Sequence, residues 1–102
     1  MPVAVSVLQA QALLKSIPQW KLDPDQKMIF CELIMRDFLS AIELIQAIAR
    51  IAEAKEHHPD LHLTAYRRLR IELSTHSMGG LSELDFSLAA EIDHLPKRLK
   101  TA

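Results

Sequence analysis

From Tyr66 to Thr75 the chain alternates. Leu69, Ile71 and Leu73 fall on one side, and Tyr66, Arg68, Arg70 and Glu72 on the other. Side chains of a strand repeat every second residue, so this strand sets an apolar face on a core and a charged face in water. A sheet wet on one face is characteristically antiparallel, and its dry face needs a cover. A chain of 102 residues has room for about one domain, so the cover must come from the same domain.

Helical periodicity supplies it. Ser6-Val7-Leu8-Gln9 is a capping box, and Val7, Ala10, Leu14 and Ile17 recur at helical spacing until Pro18. Asp37 can cap a long helix from Phe38 to about Glu56, with Phe38, Ile42, Ile45, Ala49 and Ala52 as its apolar stripe. Pro59 stops that helix, because the residue before a proline is pushed out of the helical region. Ser82-Glu83-Leu84-Asp85 opens a last helix, whose stripe is Leu84, Leu88, Ile92 and Leu95, ending at Pro96. Trp20–Leu22 and Met28–Met35 read as a hairpin across Asp23-Pro24-Asp25-Gln26, with Ile29, Cys31 and Leu33 on one face. A further short strand is expected around Leu61 to Leu63. The order is helix, hairpin, long helix, strands, helix. It predicts a two-layer α+β fold, with helices on one face of an antiparallel sheet, in a single domain over residues 1–102.

Charge and composition exclude several function classes. Twelve Lys and Arg against thirteen Asp and Glu leave a formal charge of −1, without the basic footprint of a nucleic-acid binder. So small a charge gives little repulsion between copies, which favours self-association. The single cysteine, Cys31, forms no internal disulfide, which fits a reducing compartment. Apolar runs are too short to span a membrane, and Met1-Pro2-Val3-Ala4-Val5 lacks the basic start of a signal peptide. The expected location is the cytoplasm, or its equivalent inside an organelle with the targeting segment removed. Gly79-Gly80, the only glycines, mark the one expected unusual backbone site, and two adjacent glycines make neither a dinucleotide fold nor a P-loop.

Chemistry concentrates in the histidines at 57, 58, 62, 76 and 94. His57-His58 end the long helix, Glu53 lies one turn before His57, and His76 follows the alternating strand directly. If the strand returns beside the helix end, His57, His58 and His76 converge. Imidazoles exchange protons near neutral pH, so three of them with carboxylates suit general acid–base catalysis. Helix-end electrostatics alone also favours histidine at a C-terminus and Asp85 in a first turn. Zinc held by His57, His58, His62 and His76 is a third reading, weakened by the absence of a nearby cysteine and by Pro59. Cys31 sits mid-strand among apolar neighbours and reads as an inert core thiol. Arg67, Arg68 and Arg70 beside Tyr66 read as a solvated strand face rather than an RNA platform, since nothing else on the chain is basic.

A longer pattern runs through the same residues. Glu53, three spacers, His57-His58-Pro59, then Tyr66, nine spacers, His76, and Asp85 beyond Gly80-Leu81-Ser82-Glu83 resembles the signature of the pterin-4a-carbinolamine dehydratases. Six residues separate Pro59 from Tyr66 where many members have five, which bears on the geometry around His62. The resemblance implies three helices on a four-stranded antiparallel sheet, assembled as a homodimer or homotetramer. It implies dehydration of 4a-hydroxytetrahydropterin to quinonoid dihydropterin, in pterin recycling, with no metal or organic cofactor. By motif position His57 and His76 would be acid and base, His58 would orient the pterin, and Glu53 and Asp85 would support histidines or bond the pterin edge. The same family implies an alternative: a non-catalytic member that binds proteins, as a dimerisation cofactor or a ribulose bisphosphate carboxylase assembly factor. Retention of all three motif histidines favours the enzyme.

Overall fold

The computed structural model describes residues 2–101; Met1 and Ala102, the ends of the expected 1–102 domain, lie outside them. The first helix, α1, spans Val7–Leu14 and opens on the Ser6–Gln9 capping box. It stops short of Pro18, and the next residues form turns that still bury Ile17. The strands β1 (Lys21–Leu22) and β2 (Ile29–Ile34) form the hairpin. Asp23 closes its turn by accepting from the backbone N–H groups of Lys27 and Met28. Helix α2 spans Phe38–Lys55, and the Asp37 carboxylate accepts from the Ser40 N–H at its start, as expected. Ser40, through its side chain and its backbone N–H, holds the Asp37 carboxyl below the usual carboxylate range. Strands β3 (Asp60–Thr64) and β4 (Arg68–Leu73) follow, then a single 3₁₀ turn at His76–Met78 and helix α3 at Glu83–His94.

The four strands pair antiparallel in the order β1-β2-β4-β3. Cys31 lies opposite Ile71, which lies opposite Leu61; Leu33 lies opposite Leu69, which lies opposite Leu63. The inward rows form one core with Ala41, Leu44, Ile48 and Ala52 of α2, Leu88, Ala89 and Ile92 of α3, and Ala10 of α1. Ile29, Ile71, Leu73 and Leu88 are fully buried, each contributing about 1.5–3 kcal/mol of transfer free energy. This is the two-layer α+β fold, with three helices over one face of a four-stranded antiparallel sheet.

Three local expectations are corrected. The alternating strand starts at Arg68, not Tyr66. Ala65 and Tyr66 take left-handed φ values of 47° and 56°, because the chain must reverse between two strands paired at Thr64 and Arg68. Gly79 is left-handed at φ 63°, but Gln26 and Glu56 are too, so the glycine pair is not the sole unusual backbone site. The core side of α2 is Ala41, Leu44, Ile48 and Ala52 rather than the stripe through Phe38, which is 52% exposed, and Ala49, also exposed. The helix carries two overlapping apolar stripes, and the sheet takes one.

Candidate active site

The end of α2 sets the site. Glu56 turns left-handed, its N–H returns to the Glu53 carbonyl and the His57 N–H returns to the Ala52 carbonyl. These paired bonds are a Schellman closure, so the helix ends before Pro59 has any say. The turn buries His57, at 8% exposure, and leaves His58 exposed. Glu53 therefore meets His58, at 3.2 Å, rather than His57. Helical spacing placed Glu53 beside His57, but His57 lies beyond the left-handed residue.

The strand end supplies the second part. Thr75 follows β4, and its N–H donates to the Gly80 carbonyl at 2.8 Å, closing the loop that carries His76. Gly79 closes the 3₁₀ turn in the left-handed conformation, with no atom within 4 Å of where a Cβ would stand. Glycine is needed there for its conformation, not for space.

Helix α3 supplies the carboxylate. Ser82 caps it in a capping box whose third residue is Asp85. Asp85 is fully buried, yet both oxygens are engaged. Oδ1 lies 2.6 Å from His57 Nε2. Oδ2 accepts from the Thr75 hydroxyl at 3.0 Å and from the Ser82 N–H at 2.9 Å. A buried carboxylate is tolerable only with its oxygens so bonded. The Ser82 and Thr75 hydroxyls are themselves 2.6 Å apart.

A cleft of about 280 Å³ opens over this cluster, lined by Glu56, His57, His58, Thr75 and His76 among others. The three histidines of the sequence pattern thus share one cleft, with Asp85 directly behind His57. Thr75 and Ser82 were missed. The Ser82–Asp85 capping box was legible, but nothing in the sequence said that its carboxylate is buried against an imidazole.

The remaining candidates lie elsewhere. His62 pairs with Glu72 at 3.1 Å and lines a larger groove of about 400 Å³ with Glu32, Arg68 and Arg70. Of the four histidines of the zinc reading, His62 therefore lies apart from the other three, and among the described residues no three His, Cys, Asp or Glu side chains group as a metal site. Arg70 is bonded to Glu72 at 2.7 Å and stacks over Phe30 at 4.0 Å, as befits a paired strand face. Cys31 is buried, and burial, with Asp93 adding, pushes its thiol up to about 11. It is an inert core thiol.

A small two-layer α+β domain with an imidazole-lined cleft backed by a buried carboxylate defines a class suited to proton transfer. The chain belongs to the pterin-4a-carbinolamine dehydratase family, named for a hydro-lyase: the family profile described as Pterin 4 alpha carbinolamine dehydratase matches residues 4–95. A Halorhodospira halophila protein named for the same dehydratase is 39% identical over 85% of this chain and 79% of its own. Pterin-4-alpha-carbinolamine dehydratase 2, mitochondrial, of Arabidopsis thaliana is 39% identical over 90% of this chain, which spans 50% of that protein. The crystal structure of a transcriptional coactivator/pterin dehydratase from Brucella melitensis superposes with a TM-score of 0.82 at 27% identity, covering 87% of this chain and 94% of that one. A pterin dehydratase-like RuBisCO assembly factor of the alpha-carboxysome shares the fold, with a TM-score of 0.61 at 20% identity over 74% and 86% of the two chains. Among the described residues no helix is long and apolar enough to cross a membrane.

Proposed function

We propose that residues 1–102 form one dehydratase domain, which converts 4a-hydroxytetrahydropterin to quinonoid dihydropterin and water. One observation carries this reading: His57, bonded to the buried Asp85, lines the same cleft as His58 and His76. The reaction breaks the C4a–O bond and forms the C4a–N5 double bond. One proton leaves N5 and one joins the departing hydroxyl, so an acid and a base suffice. His57 and His76 fill those two roles. His58, exposed at the rim and tethered to Glu53, orients the pterin. Asp85 holds His57 and stabilises it when charged. No redox or phosphoryl step occurs, and no cofactor is required by the balance.

The protein-binding alternative draws on the names of two structural neighbours, a coactivator and an assembly factor. The complete histidine cluster favours catalysis. A homo-oligomer is supported by the second α2 stripe, where Phe38 stands 52% exposed. A cytoplasmic setting fits the one free, buried thiol.

The test is a dehydration assay on the purified chain with enzymatically generated 4a-hydroxytetrahydropterin. Turnover well above the spontaneous rate is expected. A rate at the spontaneous level, with pterin binding absent by calorimetry, would refute the reading.

A further inference from the structure

With Asp85 ionised, the hydrogen bonds behind His57 run in one direction. The Ser82 N–H can only donate, and it donates to Asp85 Oδ2. Ser82 Oγ accepts from the Leu84 N–H at 3.2 Å, so its single proton is free to point at Thr75 Oγ1, 2.6 Å away. Thr75 Oγ1, having accepted that proton, gives its own to Asp85 Oδ2. Oδ2 is then filled by two donors. The one remaining place for a carboxyl proton is Oδ1, facing His57 Nε2 at 2.6 Å. An ionised carboxylate oxygen only accepts, so the proton of that contact sits on Nε2. Neutral His57 therefore carries its lone pair on Nδ1. Among the described residues that nitrogen accepts no protein hydrogen bond, and it is not a buried atom, so it is open to solvent.

We infer that Thr75 and Ser82 are positioning residues: their hydroxyl chain holds Asp85 as a pure acceptor, fixes the proton of His57 on Nε2, and makes Nδ1 the nitrogen that takes the N5 proton of the substrate. The part played by Nδ1 rests on the dehydratase reading; the tautomer does not. The step balances. Nδ1 takes the proton from N5, and the N5–H electron pair becomes the C4a–N5 double bond. The C4a–O bond breaks toward oxygen, which takes a proton from His76, the remaining imidazole of the acid–base pair. Water leaves, and His57 returns its proton to His76 through solvent.

Removing the Thr75 hydroxyl leaves more negative charge on Asp85, which then holds a charged His57 more tightly. The other titratable groups around His57 are Glu56 and His58 at the end of α2 and His76 on the 3₁₀ turn; all are unchanged in a Thr75 variant. The experiment is ¹⁵N NMR of the histidine rings in the full chain, with His57→Gln identifying the resonances, read beside the pH–rate profile. Wild type is expected to show neutral His57 protonated at Nε2. In Thr75→Val the His57 midpoint and the acid limb of the rate profile move to higher pH by about 0.5–1 unit, and Thr75→Ser restores both. If Thr75→Val does not fold, Ser82→Gly serves, because glycine keeps most of the cap while deleting the hydroxyl. It should move the midpoint the same way by less. A neutral His57 protonated at Nδ1, or a folded variant titrating like wild type, overturns the assignment. A merely structural Thr75 would lower the melting temperature without moving either midpoint. Wild type without dehydration would remove the role of Nδ1, whereas the tautomer and the Thr75 shift are read without substrate.

Discussion

His57 is the most constrained titratable side chain of the cleft. It is buried, bonded to a buried carboxylate and one residue beyond a left-handed turn. His57→Ala and His76→Ala should each lower dehydration by a factor of about 10²–10⁴, the usual worth of a placed acid or base. His58→Ala should raise KM as well as lower kcat, because its part is orientation. His62→Ala and His94→Ala should stay near wild type; His62 faces Glu72 and His94 ends α3. Steady-state kinetics on folded variants decides, and normal turnover in His57→Ala would remove the acid–base assignment. Glu72 gives a separate pH signature. The Arg70 hydrogen bond, with His62 adding, holds its carboxyl below the usual value of 4.5. A depressed folded value means stability that is present above the unfolded pKa and lost as pH falls through the folded one. Urea midpoints should therefore fall between about pH 5 and 3, and fall less in Glu72→Gln. Equal losses in the two proteins would show that this carboxylate is not the cause.

At the scale of elements, helix ends do the positioning. The α2 closure puts a non-glycine residue, Glu56, at φ 52°. A side chain in that region costs roughly 1–2 kcal/mol, offset in part by the entropy that glycine would add to the unfolded chain. Glu56→Gly should raise stability by about 0.5–1 kcal/mol, and Gly79→Ala, at φ 63°, should lower it by a similar amount. Chemical denaturation reads both, and a destabilised Glu56→Gly would contradict the strain argument. Much of this was visible in the sequence. Asp37 and Ser82 sit as caps, and alternation marked the dry rows of β2 and β4. The closure at Glu56 was not visible, because nothing in its residue type announces a left-handed turn. Pro59 was a plausible stop, but the helix had already ended.

Over the whole molecule, the second face of α2 is the surface on which the proposed homo-oligomer would close. A domain of about 100 residues buries a modest core, so an added helix–helix contact is worth having. Phe38, Ile42, Ile45 and Ala49 recur at helical spacing on a side that the sheet only partly covers. Ile42→Glu should shift the protein toward monomer in sedimentation with little change in its circular dichroism. An unchanged oligomer would place the contact elsewhere, and a wild-type monomer at micromolar concentration would remove the assembly altogether.

By itself the sequence determined the layers. Periods of two and of 3.6 residues are local, and they report which face of an element is dry whatever that face touches. The histidine spacing likewise singled out His57, His58 and His76 before any geometry. Only the tertiary structure decided three things: which of two apolar stripes of α2 meets the sheet, that Glu53 serves His58, and that Asp85 lies buried behind His57 with Thr75 and Ser82. Glu53 meets His58 because the chain turns left-handed at Glu56, and the other two share one physical reason. Residues 28 positions apart are brought to 2.6 Å by the packing of α3 against the end of α2, and no local pattern encodes a contact that only the closed core creates.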